Sequence, residues 1–496
     1  MISGTGACTA PAIRRRLVAA LLLVLGALVP AQAFAHGTLR SSVPSAGSRL
    51  STVPHELRLN FSESPELTFT TIALIGPDGA TVALGPVQIA SDARRAAVAA
   101  IRGALSDGTY TVVWKMAGAD GHPIPGRFTF TIAPGAQGFA AATPAAPAGE
   151  AGASVTAPGR APPDSHHVAV AMTDAGAFDS ESPLYVAVRW LLYTGLLVVL
   201  GTVVFQFAVL GLLRRRQDPD SPTVLPILMP VRDRAAAVGL AGAAVVAVAM
   251  VLRLYAQSYA MHGPERVLDG SLVISMLSGT VWGWGWLLQL AGVVIAATGF
   301  RAATGGRVTG WGIAAVGAAS LAFSPALSGH AASAPQLVPL AILADGFHVI
   351  GAGGWLGSLL VLVTVGLPAA LRLDAGARGP AVAALVNALS PTALGFAGIT
   401  AASGVFTAWL HLDAVSALWQ TPYGQTLLLK LAILSVVAAT GAYNWRRVKP
   451  TLGVGTGAAR LRRSASVELA VGALVLVVTA VLVATPTPRD LTLMGP

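Results

Sequence analysis

The stretch Gly118 to Gly126, GADGHPIPG, sets a carboxylate, Asp120, and an imidazole, His122, one glycine apart. In an extended chain, side chains i and i+2 point the same way, so this pair can offer an oxygen and a nitrogen to one ion. Asp-Gly and two prolines are equally what a turn contains. A second histidine bears on the choice. Three arginines, Arg14 to Arg16, an apolar run from Leu17 to Val29, and the small residues of AQAFA have the layout of a secretory signal peptide over residues 1–35. Cleavage after Ala35 would make His36 the first residue, with a free α-amine beside its imidazole, and the two nitrogens can chelate one ion. His36, Asp120 and His122 then form a nitrogen-rich set completed by oxygen, which suits tetragonal Cu(II), the leader of the divalent affinity order. Zinc could take the same ligands, although an amine is an unusual zinc donor. Glu63, in NFSES, can add an axial or outer carboxylate, or is a solvated acid at a strand end. Cys8, the only cysteine, precedes the apolar run, so no disulfide framework or thiolate metal site is expected.

These residues need a scaffold. From His36 to Ala133 the chain alternates in short runs such as ELRLNFS, TYTVVWKM and RFTFTIA, broken by Pro, Gly, Asp and Ser. This pattern predicts an all-β sandwich or barrel, residues 36–133. Residues 134–183 begin as an Ala/Pro/Gly-rich stretch with too little apolar bulk to offset the entropy of ordering, and read as a flexible linker.

The rest of the chain is built for lipid. Hydrophobic residues make up 54% of the 496 and charged residues only 11%, which is too apolar for one soluble core. Eight runs are long enough to cross a bilayer: 190–213, 235–252, 281–300, 308–327, 337–367, 392–410, 425–445 and 467–484. The formal charge of +10 sits mainly at the ends of these runs rather than on a polar, aromatic-studded surface, so nucleic acid is not the expected partner. Arg214, Arg215, Arg216, Arg232 and Arg234 join the first two runs, and Arg446, Arg447, Lys449, Arg460, Arg462 and Arg463 join the last two. By the positive-inside rule these loops are cytoplasmic. The β domain, the linker and the tail, residues 487–496, are then extracytoplasmic, and a multi-pass protein of the cell (inner) membrane is expected.

Polar groups inside spans are costly and usually functional. Asp345 and His348, three apart on the fifth run, share a helix face. His330, in ALSGH, ends the fourth run near the same level. Together these three form the expected pathway for an ion within the membrane. Lys430 lies inside the seventh run, where snorkelling and function are equally open. Glu468 opens the eighth run beside the arginines, where a salt bridge with Arg462 or Arg463 is expected. His262, His411 and Asp413 read as loop-edge residues. No segment resembles a nucleotide-binding loop, so any transport is expected to run on gradients or downstream binding.

The quoted motifs also resemble known families. HGTLRSSVPSAGSRL, LRLNFSE and YTVVWKMAGADGHPIPGRFTFTI look like the CopC family of periplasmic copper-binding β-sandwich proteins, over the whole β domain. The resemblance implies an Ig-like or cupredoxin-like Greek-key sandwich. It also implies Cu(II) held by His36, Asp120, His122 and Glu63. A methionine-rich Cu(I) site found in some members is not carried over, because the domain contains only Met116. SGHA, DGFHVIGAGGWLGSL, SGVFTAWLHL, TPYGQTLLLKLAIL, NWRRVKP and the final run are similar to the CopD copper resistance and import family, over the last five runs, with the first three generic. The chain is thus identified as a CopC–CopD fusion: an exported β domain, a linker, and an all-α membrane domain of about eight helices, residues 184–486. The expected function is Cu(II) capture and membrane copper transport, in import or resistance. Cu(II), or Cu(I) in the membrane domain, is the cargo, and extracytoplasmic copper donors or acceptors are the expected partners. The alternatives are a haem- or copper-dependent redox membrane protein and membrane-anchored sequestration. No enzyme activity is expected.

Overall fold

The structure is a computed structural model that describes residues 39–61, 65, 67, 70–117, 123–137, 182–215, 225–329, 331, 337–412, 414–448, 457–485 and 487–488. The chain divides into two compact units, one holding the strands and the other the helices.

The strand unit is a two-sheet sandwich. One sheet has the order β1 (Leu39–Val43), β3 (Glu56–Phe61), β7 (Ala93–Ala100), β6 (Gln88–Ala90). The other runs β2 (Arg49–Thr52), β9 (Pro123–Gln137), β8 (Gly108–Ala117), β4 (Thr71–Ile75), β5 (Thr81–Val82). The period-two pattern explains which face is buried. Leu57, Leu59 and Phe61 of β3 alternate with more exposed residues, and Tyr110, Val112, Trp114 and Met116 do the same on β8. They meet Phe130 and Ile132 of β9 in one core, where each large side chain contributes about 1.5–3 kcal/mol by leaving water. Tyr110 also pins the chain entering β8: its hydroxyl donates to the Ser106 carbonyl at 3.0 Å and accepts from the Ser106 amide at 2.8 Å. Its ring stacks on Phe130 with centroids 5.5 Å apart.

The helical unit contains eight helices long and apolar enough to cross a membrane among the described residues. They are α1 (Pro183–Arg215), α2 (Ile227–His262), α3 (Val281–Thr304), α4 (Val308–Leu327), α5 (Val338–Ala370), α6 (Ala375–His411), α7 (Pro422–Arg447) and α8 (Arg460–Leu482). Several starts are encoded locally. Ser182 and Thr421 accept the amides of Tyr185 and Gly424, each followed by a proline at the first helical position. The helix of α6 begins seventeen residues before the expected 392, running through Pro380 and Pro391. Prolines read as breakers in water are tolerated where neighbouring helices and side chains re-satisfy the freed carbonyls. Small residues set the closest approaches: a β-carbon on Gly201 of α1 would overlap the backbone of Gly357 on α5. Gly357 closes a π-helical turn, Gly353–Gly357, and α7 ends in another, Asn444–Val448. Such turns are frequent at functional sites.

Candidate metal sites

His36, Glu63, Asp120 and His122 lie outside the described residues, but the strands flanking them are described. β1 pairs antiparallel with β3, and Leu39 is opposite Phe61. The start of β1, three residues after His36, and the end of β3, two residues before Glu63, therefore sit side by side. β8 and β9 are neighbours in the second sheet, so the connection carrying Asp120 and His122 runs between the end of β8 at Ala117 and the start of β9 at Pro123. The two sheets are tied where it matters: the Phe61 and Trp114 rings meet edge to face, with centroids 5.2 Å apart. The ends of β3 and β8 thus occupy one end of the sandwich. Gly126 secures the start of β9 there, because a β-carbon at this position would drive into the Trp114 indole.

Other groups in this unit are committed elsewhere. Met116 is fully buried in the core. Asp92 accepts two hydrogen bonds from the Arg58 guanidinium, at 2.8 and 2.9 Å, which hold its carboxyl below the usual carboxylate range. This exposed pair bridges β3 to the turn before β7.

In the helical unit, Asp345 and His348 lie seven and ten residues into α5 from Val338, about 10–15 Å along the helix axis. Nδ1 of His348 is 3.0 Å from the Thr400 carbonyl and 3.2 Å from the Ser403 hydroxyl, both on α6. A carbonyl only accepts, so Nδ1 carries the proton and Nε2 keeps the lone pair that a metal ion requires. Gly404 makes room for the ring: a β-carbon there would stand 3.1 Å from Cε1. Asp345 and Lys430 of α7 are close enough to interact through their charges. Lys430 lies eight residues into α7, so it reaches the helix interior at a depth comparable to that of Asp345. His330 lies outside the described residues. The described end of α4 nevertheless runs along α5 beside this region, since Phe323 meets Phe347 edge to face at 6.2 Å.

Glu468 does not make the expected salt bridge to Arg462 or Arg463. Its side chain accepts from Asn444 Nδ2 of α7 at 3.3 Å, and the Trp355 indole of α5 lies near the same carboxyl. His411 is buried at the end of α6, with Nδ1 2.8 Å from the Thr407 carbonyl. His262 lies 3.1 Å from the Ser258 hydroxyl. Sequence reasoning passed over Thr400, Ser403 and Gly404, although TAASG places them at i, i+3 and i+4. Among the described residues, no three His, Cys, Asp or Glu side chains gather closely enough to hold a metal ion. The helical unit therefore offers one imidazole and one carboxylate on a shared face of α5.

Comparison with known proteins covers both units. Residues 39–133 match the CopC domain, residues 172–338 the copper resistance protein D-like N-terminal domain, and residues 383–482 copper resistance protein D. The first runs, generic by eye, thus fall within a family pattern, while Asp345 and His348 lie between the two membrane-domain matches. The chain is 24% identical over 477 residues to copper transport protein CutJ of Bacillus subtilis (strain 168), covering 95% of this chain and 78% of that protein. It is 36% identical over 117 residues to copper resistance protein C of Escherichia coli, covering 22% of this chain and 90% of that protein. It is 27% identical over 319 residues to copper resistance protein D of Pseudomonas syringae pv. tomato, covering 60% of this chain and 94% of that protein.

Proposed function

Because the chain belongs to the copper resistance family in which a CopC domain precedes CopD membrane domains, we propose that its β domain captures Cu(II) outside the cell membrane and that its helices carry copper inward. In this reading residues 1–35 are removed on export and 36–133 form the copper-binding domain. Residues 134–183, of which the first four complete β9 and the last opens α1, tether it to the membrane domain, 184–486. The tether keeps the donor at high effective concentration over the membrane. The arginine-rich loops are cytoplasmic, so the β domain and the tail, 487–496, face the periplasmic side.

One observation carries the capture step: the chain ends of β1, β3, β8 and β9 that bear His36, Glu63, Asp120 and His122 share one end of the sandwich. The His36 amine and imidazole, the His122 imidazole and the Asp120 carboxylate supply the ligands, with Glu63 in support. Copper then passes to His330, Asp345 and His348. The Thr400 carbonyl fixes the tautomer of His348, so Nε2 is ready to ligate without reorganisation. Lys430 balances the Asp345 carboxylate while no copper is present, and an arriving cation replaces that charge.

Cellular copper content at limiting external copper tests the transport step. Cells with the wild-type protein should accumulate more copper than cells without it, and His348→Ala should abolish the difference at equal protein level. Equal accumulation by wild type and variant would refute conduction past His348 and leave sequestration by the β domain.

A further inference from the structure

The helical unit holds a second buried acid that the copper pathway does not use. Glu468 is 6% exposed and lies five residues beyond Arg463, about 8 Å along α8 from the arginine-bearing end. On α5, Trp355 stands ten residues from Asp345, so the two polar stations are about 15 Å apart along that helix. Three spans converge on the Glu468 carboxyl. Asn444 opens the π-helical turn of α7, Trp355 sits in that of α5, and Gly441, one turn before Asn444, leaves carboxyl Oε1 uncrowded: even a β-carbon there would be 3.7 Å away.

The hydrogen-bond inventory of this cluster is uneven. Asn444 Nδ2 donates to carboxyl Oε2, but Asn444 Oδ1 is buried with no donor among the described residues. A carboxamide beside a carboxylate can use only its N–H side. Beside a carboxylic acid it can use both, because the acid O–H donates to the amide oxygen while the amide N–H donates to the acid oxygen. A buried acceptor left without a donor costs about 1–3 kcal/mol, which favours the protonated acid here.

The surroundings agree. The charged or titratable side chains on the elements packed around Glu468 are Asp345, His348, Lys430, Arg446, Arg447, Arg189, Arg214 and Arg215, the arginines of α8 itself, and Tyr185, Tyr193, Tyr423 and Tyr443. None of them hydrogen-bonds or ion-pairs with Glu468 among the described residues. Copper is a poor occupant, since the cluster offers one carboxylate and an amide oxygen with no imidazole or sulfur.

We propose that Glu468 is a proton-binding site, closed by Asn444, that releases its proton when a cation passes through the helical unit. The coupling clause rests on the transport reading above; the site itself does not. The proton balance is explicit: an approaching cation favours the ionised carboxylate, the proton leaves to water at the arginine-bearing end, and a proton from water at the opposite face restores the acid once the cation has gone. Asn444 Nδ2 remains as a donor to the carboxylate while it is charged.

Infrared difference spectroscopy of the purified, copper-free full chain at neutral pH tests the site. A carboxylic acid C=O band should be present, disappear in Glu468→Gln, and shift in Asn444→Ala as the acid loses its acceptor. An unchanged band in Glu468→Gln, or no such band, would overturn the proposal. Glu468→Asp guards against misfolding, because it should move the band rather than remove it. In proteoliposomes with a lumenal pH dye, copper uptake by the wild type should move protons, and Glu468→Gln should cut that signal at least tenfold. Copper uptake with an undiminished proton signal in Glu468→Gln would overturn the coupling. If no copper moves in any variant, the transport reading fails while the infrared result still decides the proton site.

Discussion

Gly404 gives the sharpest test of how the helices hold His348. A β-carbon added there would lie 3.1 Å from Cε1 and 3.4 Å from Nδ1. Carbon atoms pack best at about 3.5–4.0 Å, so Gly404→Ala leaves the ring about half an ångström short of space. The ring cannot slide away freely, because Nδ1 is held 3.0 Å from the Thr400 carbonyl. Crowding of this kind costs about 1–3 kcal/mol, which is roughly a five- to hundredfold loss in any affinity that depends on the imidazole position. Ser403→Ala removes only the 3.2 Å hydroxyl contact and leaves the Thr400 carbonyl in place. One neutral hydrogen bond is worth about 1 kcal/mol, so this change should cost roughly fivefold or less. Copper uptake into proteoliposomes, on variants shown by gel filtration to remain folded, should fall in the order Ser403→Ala, Gly404→Ala, His348→Ala, with the last most severe. Wild-type uptake by Gly404→Ala beside an inactive His348→Ala would refute the packing argument. Ser403→Ala as damaging as His348→Ala would show that the hydroxyl, not the carbonyl, orients the ring.

Three further outcomes are expected. Gly126→Ala sets a β-carbon against the Trp114 indole and should destabilise the β domain by about 1–3 kcal/mol; thermal melts followed by tryptophan fluorescence check this, and an unchanged melt would contradict the close approach. Arg58 holds the Asp92 carboxyl below its ordinary value, so that pair stabilises the fold above the unfolded carboxylate range and loses its contribution as pH falls through the depressed value. Arg58→Ala should therefore raise the Asp92 titration, read by NMR, toward the ordinary range and flatten the acid side of the stability profile, with Cu(II) binding unchanged. Cu(II) affinity should weaken as pH drops below the amine's ordinary range of about 7.7–8.0, because the His36 amine must lose its proton to ligate; an affinity independent of pH in a competition titration would exclude the amine.

Local pattern carried much of the fold. The alternation in ELRLNF put Leu57, Leu59 and Phe61 inward, as found, and the run 308–327 coincides with α4. The start of α6 did not follow, because the apolar run marks the part that crosses the bilayer while the helix itself runs on through Pro380 and Pro391. Sheet order was also hidden: Leu39 opposite Phe61 is a pairing across more than twenty residues, and it brings the flanks of His36 and Glu63 side by side. The same limit explains Glu468. Sequence proximity favoured Arg462 and Arg463, but the helix turns its carboxyl toward Asn444, 24 residues away on another span. His348 was visible as a polar group in an apolar run, whereas its partners Thr400 and Ser403 look ordinary until two helices are packed.

The central claim is that the end of the β-sandwich formed by β1, β3, β8 and β9 holds one Cu(II) through the nitrogens of His36 and His122. Electron paramagnetic resonance of the mature full-length protein with one equivalent of Cu(II) tests it most directly. Nitrogen splitting should report the α-amine and imidazole of His36 together with the imidazole of His122. His122→Ala should lose one nitrogen, and one residue added before His36 should lose the amine and at least tenfold in affinity. A spectrum that neither change alters would place the Cu(II) elsewhere and contradict the account.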